Sequence, residues 1–199
     1  MTQQPAQPAR PQHGASSSIG APGARHPLSA LGALGIFGSL AVGSPAWAAS
    51  LQLQLELPRL NVAEYHRPYV AVWVEKPGQA GAMAQLAVWY DLKKANNGGT
   101  KWLRDMRQWW RQGGRDLSVP ADGVSGATRA PGEHSLQLAQ HAQLAKLPAG
   151  QYELVIEAAR EGGGREVQRL PFSWPLRAAQ SASAQGEHEL GALRLNAQP

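Results

Sequence analysis

Leu51, Leu53, Leu55 and Leu57 alternate with Gln52, Gln54 and Glu56 before Pro58 ends the run. A period of two puts alternate side chains on opposite faces, so this stretch predicts a half-buried β-strand. Tyr69–Glu75 (YVAVWVE) and Gln85–Asp91 (QLAVWYD) are rich in β-branched and aromatic residues, and the KPGQAG between them has turn chemistry. Together they predict a hairpin. His134–Ala139, Tyr152–Ala158, Glu166–Trp174 and Leu190–Leu195 follow as further strands, with Pro148-Ala149-Gly150 and Gly162-Gly163-Gly164 as breaks. Short strands separated by Gly and Pro predict an all-β fold, an antiparallel β-sandwich.

One stretch departs from that period. Between Thr100, a candidate N-cap, and Gly113, a candidate C′ residue, lies KWLRDMRQWWRQ. Trp102, Met106, Trp109 and Trp110, with Leu103, share one face at helical spacing, and Arg104, Arg107 and Arg111 share the other. This predicts one short helix at about 101–112, packed across the sandwich with a solvated basic face. A second reading sets Trp109 or Trp110 as an aromatic shelf for a ligand. The stretch from Ala178 to Gly186 (AAQSASAQG) has the composition of a mobile loop.

The first 27 residues are rich in Gln, Pro, Gly, Ser and Ala, and their only formal charges are Arg10 and Arg25. Leu28 to Ser44 is uncharged and largely apolar, Pro45 breaks it, and Ala46-Trp47-Ala48 puts small residues where a signal peptidase reads. The apolar run is shorter than the roughly 20 residues that span a bilayer. Residues 1–48 therefore read as a signal peptide cleaved after Ala48, leaving a single sandwich domain at 49–199 in the periplasm. No later segment is apolar enough to span a membrane. Cleavage removes two of the 19 Lys and Arg and none of the 14 Asp and Glu, so the remaining charge is +3 (17 − 14). That modest value, with export, argues against nucleic-acid binding. The absence of cysteine rules out thiol chemistry and Cys-ligated metal, and a domain of this size buries enough core to dispense with disulfides.

The segment between the helix and the next strand reads Asp122-Gly123-Val124-Ser125-Gly126-Ala127-Thr128. It resembles the site read by ApbE-type flavin transferases: Asp, two free positions, Ser or Thr, then Gly-Ala-Thr. Five specified positions coincide by chance in a chain of this length roughly once in a thousand or more. The resemblance implies that FMN is moved from FAD onto Thr128 as a phosphoester, with Asp122 and Ser125 as recognition positions. Gly126 and Ala127 keep the approach to phosphate free of bulk, and Arg129 is placed next door to pair with the added negative charge. A bare Gly/Ser/Thr turn is the plainer reading.

PRLNVAEYHRPYVAVWVE, KWLRDMRQWWRQGG, DGVSGATRAPGEHSL and LPAGQYELVIEAAREGGGRE together resemble an exported family, domain of unknown function 2271. Its members tend to accompany PepSY-type membrane reductases and flavin transferases in settings linked to iron uptake. The resemblance implies a periplasmic electron carrier or redox subunit rather than a stand-alone enzyme, with a PepSY-type partner and a role in iron or siderophore reduction. LPAGQYELVIEA also resembles the immunoglobulin-like module of flagellar hook-capping proteins, which implies an immunoglobulin-like sandwich. The alternative is an immunoglobulin-like interaction module without flavin.

Other candidate chemistry is thinner. The closest pair among His66, His134, His141 and His188 is seven residues apart, which suits neither helix-face nor strand-face ligation, so no metal site is read. In Asn61–Pro68, Glu64, Tyr65, His66 and Arg67 are within reach of a ligand, while the plainer reading is a loop satisfying its own backbone. No nucleophile triad or catalytic carboxylate pair follows from spacing. The export reading predicts a mature N-terminus at Ala49, to be checked by N-terminal sequencing of protein recovered from the periplasm. A chain beginning at Met1 would refute it.

Overall fold

The computed structural model describes residues 49–199. The expected signal peptide and its cleavage site lie outside the described residues. Among the described residues nine strands form two sheets: β1 (Ser50–Leu57), β2 (Tyr69–Glu75), β3 (Ala84–Tyr90), β4 (Ser125–Ala127), β5 (Gly132–Gln137), β6 (Gly150–Ala159), β7 (Arg165–Trp174), β8 (Gln180–Gln185) and β9 (Ala192–Gln198). One sheet has the order β5-β1-β9-β8 and the other β4-β3-β2-β6-β7. The chain is thus an all-β sandwich, as its alternation predicts. Among the described residues no helix is long and apolar enough to cross a membrane.

The leucines of β1 explain the main core. Leu51, Leu53, Leu55 and Leu57 are each at most 1% exposed and pack with Val70, Val72, Leu154, Ile156 and Leu195 between the sheets. Burying one such side chain contributes about 1.5–3 kcal/mol. The five-stranded sheet has a second buried face. Ala71, Trp73, Val88, Tyr90 and Val155 point away from the first core and are covered by Leu103, Met106, Trp109 and Val124. That is why β2 and β3 read as nearly continuous apolar runs rather than as alternating ones.

Three elements differ from expectation. The segment at 101–112 is not one α-helix: a 3₁₀ helix covers Ala95–Asp105, Met106 breaks the run at φ −76° and ψ 74°, and α1 spans only Arg107–Arg111. Thr100 does not cap it, since its hydroxyl donates to the Asn97 carbonyl at 2.8 Å. Instead Glu157 of β6, fully buried, accepts the backbone N–H groups of Gln108 (3.1 Å) and Trp109 (2.6 Å). A tertiary carboxylate thus supplies the cap that local sequence lacks. Gly113 does terminate the segment at φ +117°, and Arg104, Arg107 and Arg111 are exposed, as the amphipathic pattern requires.

The stretch expected to be a mobile loop contains β8, an edge strand paired antiparallel with β9 from Gln180↔Ala197 to Gln185↔Ala192. Its small polar residues carry little strand signal, and the ladder to β9 sets its conformation. The sandwich is also not wholly antiparallel. β4 pairs parallel with β3 in the register Val88↔Ser125, Trp89↔Gly126 and Tyr90↔Ala127.

Two outcomes follow from this packing. Trp109 has no exposed surface, and its indole N–H donates to the Gln85 side-chain oxygen at 2.7 Å. Trp109→Ala should cost about 3–5 kcal/mol in urea unfolding; a loss within the roughly 0.5 kcal/mol typical of surface changes would refute the packing. Glu166 gathers the backbone N–H groups of Glu187, His188, Glu189 and Leu190 at 2.7–3.0 Å. Burial pushes its carboxyl up, but these bonds, with one from Gln168, outweigh it and lower the pKa from 4.5 to about 2. A depressed carboxyl contributes stability that is fully present above its unfolded pKa and is lost as pH falls through the folded one. The melting temperature of Glu166→Gln should therefore approach that of the unmodified protein between pH 4.5 and about 2. A gap independent of pH would refute this account.

Candidate functional site

The Asp122–Thr128 segment is shaped by bonds that its own residues make. Ala121 opens a tight turn: its carbonyl accepts from Val124 and Ser125 at 3.1 and 2.8 Å, and its N–H donates to the Ser125 hydroxyl at 2.9 Å. Gly123, at φ +72°, carries the chain through the turn. Val88 N–H then donates to the Val124 carbonyl (2.8 Å) and Thr128 N–H to the Tyr90 carbonyl (3.1 Å), which zips the segment along β3. At Gly126 a Cβ would lie 3.0 Å from Trp89 Cδ1, so the strand fits only with glycine or with a shift of the indole.

Thr128 faces a cavity of about 480 Å³ at the end of the five-stranded sheet, whose lining includes Tyr65, Arg67, Tyr69, Lys94 and Trp102. No bond engages the Thr128 hydroxyl among the described residues. Tyr65, His66 and Arg67, singled out in the loop before β2, thus meet the Thr128 segment in space. Glu64 stands outside the lining and pairs with His66 at 3.2 Å. Asp122 and Ala127 are exposed. Arg129 does not border the cavity; its guanidinium lies over the Trp89 ring, 4.3 Å from the centroid. Trp109 and Trp110 border it no more than Arg129 does; their rings, tilted with centroids 6.3 Å apart, pack on the outer core as part of the covering segment.

The cavity's polar groups are unequally committed. Arg160 is nearly buried and grips Glu189 at 3.1 Å. Lys94 sits 4.0 Å from Asp91, a loose pair, and Arg67 makes no ion pair among the described residues. Burial raises the Tyr65 phenol pKa, the Glu189 charge adding to it, and burial raises that of Tyr69. Both therefore stay protonated donors at neutral pH. Tyr69 donates to the Gly99 carbonyl at 3.0 Å and is fixed in place. The Trp102 indole nitrogen is shielded from solvent yet has no hydrogen-bond partner.

Helical spacing groups Trp102 with the core face, so sequence reasoning misses it as a site residue. The chain there is 3₁₀, with three residues per turn, which carries Trp102 off the buried stripe to the cavity edge. The remaining histidines stand apart: His134 bonds the Ala130 carbonyl, and His141 accepts from Gln143 N–H. A depression of about 570 Å³ beside Trp174 and Arg177 contains none of the residues singled out by sequence.

The lining carries both signs of charge, Arg67, Lys94 and Arg160 against Asp91, Asp105 and Glu161, together with the Thr128 hydroxyl and the phenol and indole surfaces, a mixture that can hold a group combining an anion with a flat aromatic body. No curated protein and no solved structure matches this chain. A family model described as "Predicted periplasmic protein (DUF2271)" matches residues 50–192, and the chain belongs to that family.

Proposed function

We propose that this protein is a periplasmic electron-transfer flavoprotein carrying FMN as a phosphoester on Thr128. The observation that carries the reading is the position of Thr128. The last residue of a complete transferase recognition pattern is also the residue of that pattern whose side chain borders the cavity.

The residues present fit the group. Arg67 and Lys94 supply cations for a phosphodiester at Thr128, in the role first expected of Arg129. Tyr65 and Tyr69 line the cavity around Thr128, Trp102 gives aromatic surface for a ring, and the unpartnered Trp102 N–H provides a donor awaiting an acceptor. When bound, the flavin supplies one- and two-electron chemistry that no side chain here offers. The protein's own part is to anchor it, orient it and limit its exposure to water.

Attachment balances simply. A bond forms between Thr128 Oγ1 and the FMN phosphorus of FAD as the pyrophosphate P–O bond breaks. AMP leaves, and the hydroxyl proton passes to a base of the transferase. A threonine hydroxyl is a weak nucleophile, so the activation belongs to that enzyme and its metal. β4 is an edge strand, and an edge strand offers an extended peptide to a partner enzyme by strand addition. Export through a signal peptide ending at Ala48, a PepSY-type membrane reductase as electron donor and a role in iron or siderophore reduction complete the reading; the last two rest on the family resemblance alone.

Co-expression with a flavin transferase, followed by export, should raise the intact mass by one FMN less one water, located on the peptide containing Thr128. Thr128→Ala should abolish the adduct, and Thr128→Ser should retain part of it because the hydroxyl survives. Asp122→Ala should slow attachment without removing the acceptor. Loss of flavin in Ser125→Ala together with its survival in Thr128→Ala would overturn the residue assignment. No adduct at all, with a control substrate labelled in the same cells, would leave the flavin-free interaction module standing.

A further inference from the structure

We propose that Trp102 is the ring-contact residue of this site and that the isoalloxazine lies beyond Thr128, in a recess between Trp102 and the Arg160–Arg165 turn. The inference rests on the covalent-flavin reading and says where in the fold the ring goes. A second hollow of about 360 Å³ adjoins the cavity at Thr128. The two share Trp102, Asp105, Ala159, Arg160 and Glu161, whereas Thr128 borders only the first. In FMN a phosphate and a five-carbon ribityl chain separate the ester oxygen from the ring. A flavin anchored at Thr128 thus has its phosphate near Arg67 and Lys94 and its ring displaced along the groove.

The second hollow suits a planar body. Its far wall is Gly162, Gly163 and Gly164, consecutive residues without side chains. The turn has its own reasons for these glycines: Gly162 sits at φ +67°, and a Cβ on Gly164 would lie 2.9 Å from Glu189 Oε1. The Arg160 guanidinium lies directly against Gly163, so this side of the hollow is a planar cation laid on glycine backbone. Trp102 stands at the junction of both hollows. Lys101 Nζ lies 4.6 Å from its ring centroid, and its N–H is the one buried side-chain polar atom without a partner among the described residues. Buried donors are almost always satisfied, so an orphan calls for an explanation. A flavin carries carbonyl and ring-nitrogen acceptors along its pyrimidine edge, which is the chemistry that an indole N–H lacks here.

Elimination points the same way. Trp73 and Trp109 are fully buried and already donate, to Glu75 at 2.7 Å and to Gln85 at 2.7 Å. Trp89 lies under Arg129, and Trp174 borders the separate depression. Trp110 packs on Trp109 and borders neither hollow.

The test uses ¹⁵N-labelled protein made with and without the transferase, the adduct being verified by intact mass. Trp102→Phe, which keeps an aromatic ring, identifies the Trp102 indole N–H resonance by its disappearance. That resonance should move on flavin attachment while the Trp109 indole resonance stays in place. Flavin emission of loaded Trp102→Phe should exceed that of the loaded parent several-fold, because an indole in contact quenches the excited flavin and a phenyl ring does not. A verified adduct with the Trp102 resonance unmoved and emission unchanged would overturn the ring placement and leave the covalent flavin intact. Absence of the adduct from every sample, beside a labelled control, would overturn the covalent-flavin reading and this inference with it.

Discussion

Glu157 is a polar side chain with no exposed surface, and the second layer of the protein hangs from it. Its carboxylate accepts the N–H groups of Gln108 and Trp109, near the start of α1, and a bond from Arg165 at 3.0 Å. A helix of five residues cannot persist in water by itself. It forms where an acceptor on the sheet satisfies its first N–H groups. With α1 fixed there, Trp109, Met106 and Leu103 reach Trp73, Val88 and Tyr90 and close the outer face of the five-stranded sheet. Arg165 reaches Glu157 from the rim, its own side chain 40% exposed. Loss of the carboxylate would strand two backbone donors against apolar surface.

The same solution is used three times on one hairpin. Glu75, Glu157 and Glu189 are the buried carboxylates, and they pair with Arg169, Arg165 and Arg160, all carried by the β6–β7 hairpin and its turn. Arg160 and Arg165 flank the glycine turn that walls the second hollow. Glu189 also takes the Gly164 N–H at 2.9 Å, and Glu166 fixes the 187–190 turn through its four backbone bonds. The groups that stabilise the sandwich at this end are therefore the groups that hold the groove's walls still. A site formed this way is organised before anything binds, which limits the ordering cost of binding.

The strands were legible because β1 alternates strictly and because YVAVWVE and QLAVWYD are apolar on both faces. Read further, those continuous runs announce that something must cover the sheet. β8 was illegible for the opposite reason: QSASAQ has no apolar row, and only its ladder with β9 makes it a strand. β4, at three residues, lies below the length at which periodicity exists. The amphipathic pattern marks the helical segment but not its bounds, because its cap comes from Glu157 in β6 rather than from Thr100. Of the site, the Asp122–Thr128 pattern and the Tyr65-His66-Arg67 loop were each visible alone. Their meeting was not, since it depends on β2, β3 and β6 lying side by side. An α-helical pitch puts Trp102 on the core face, whereas the chain there is 3₁₀.

The fold itself accounts for part of the Asp122–Thr128 pattern, and separating that part sharpens what the rest means. Ser125 is needed locally, because its hydroxyl accepts the Ala121 N–H. Gly126 is favoured because a Cβ there would press on the Trp89 indole, and Val124 because it seals the outer core. A bare turn would call for all three. Asp122, before a Gly at φ +72°, also suits the turn by type, but it is exposed and engaged by no side-chain hydrogen bond or ion pair among the described residues, and no bond calls for a hydroxyl at position 128 beside the cavity. The local geometry would be equally well served by many residues at either position. The coincidence that must be explained is therefore smaller than seven residues but sharper: an unengaged acid and an unengaged hydroxyl at the two ends of a segment whose middle is fixed by packing.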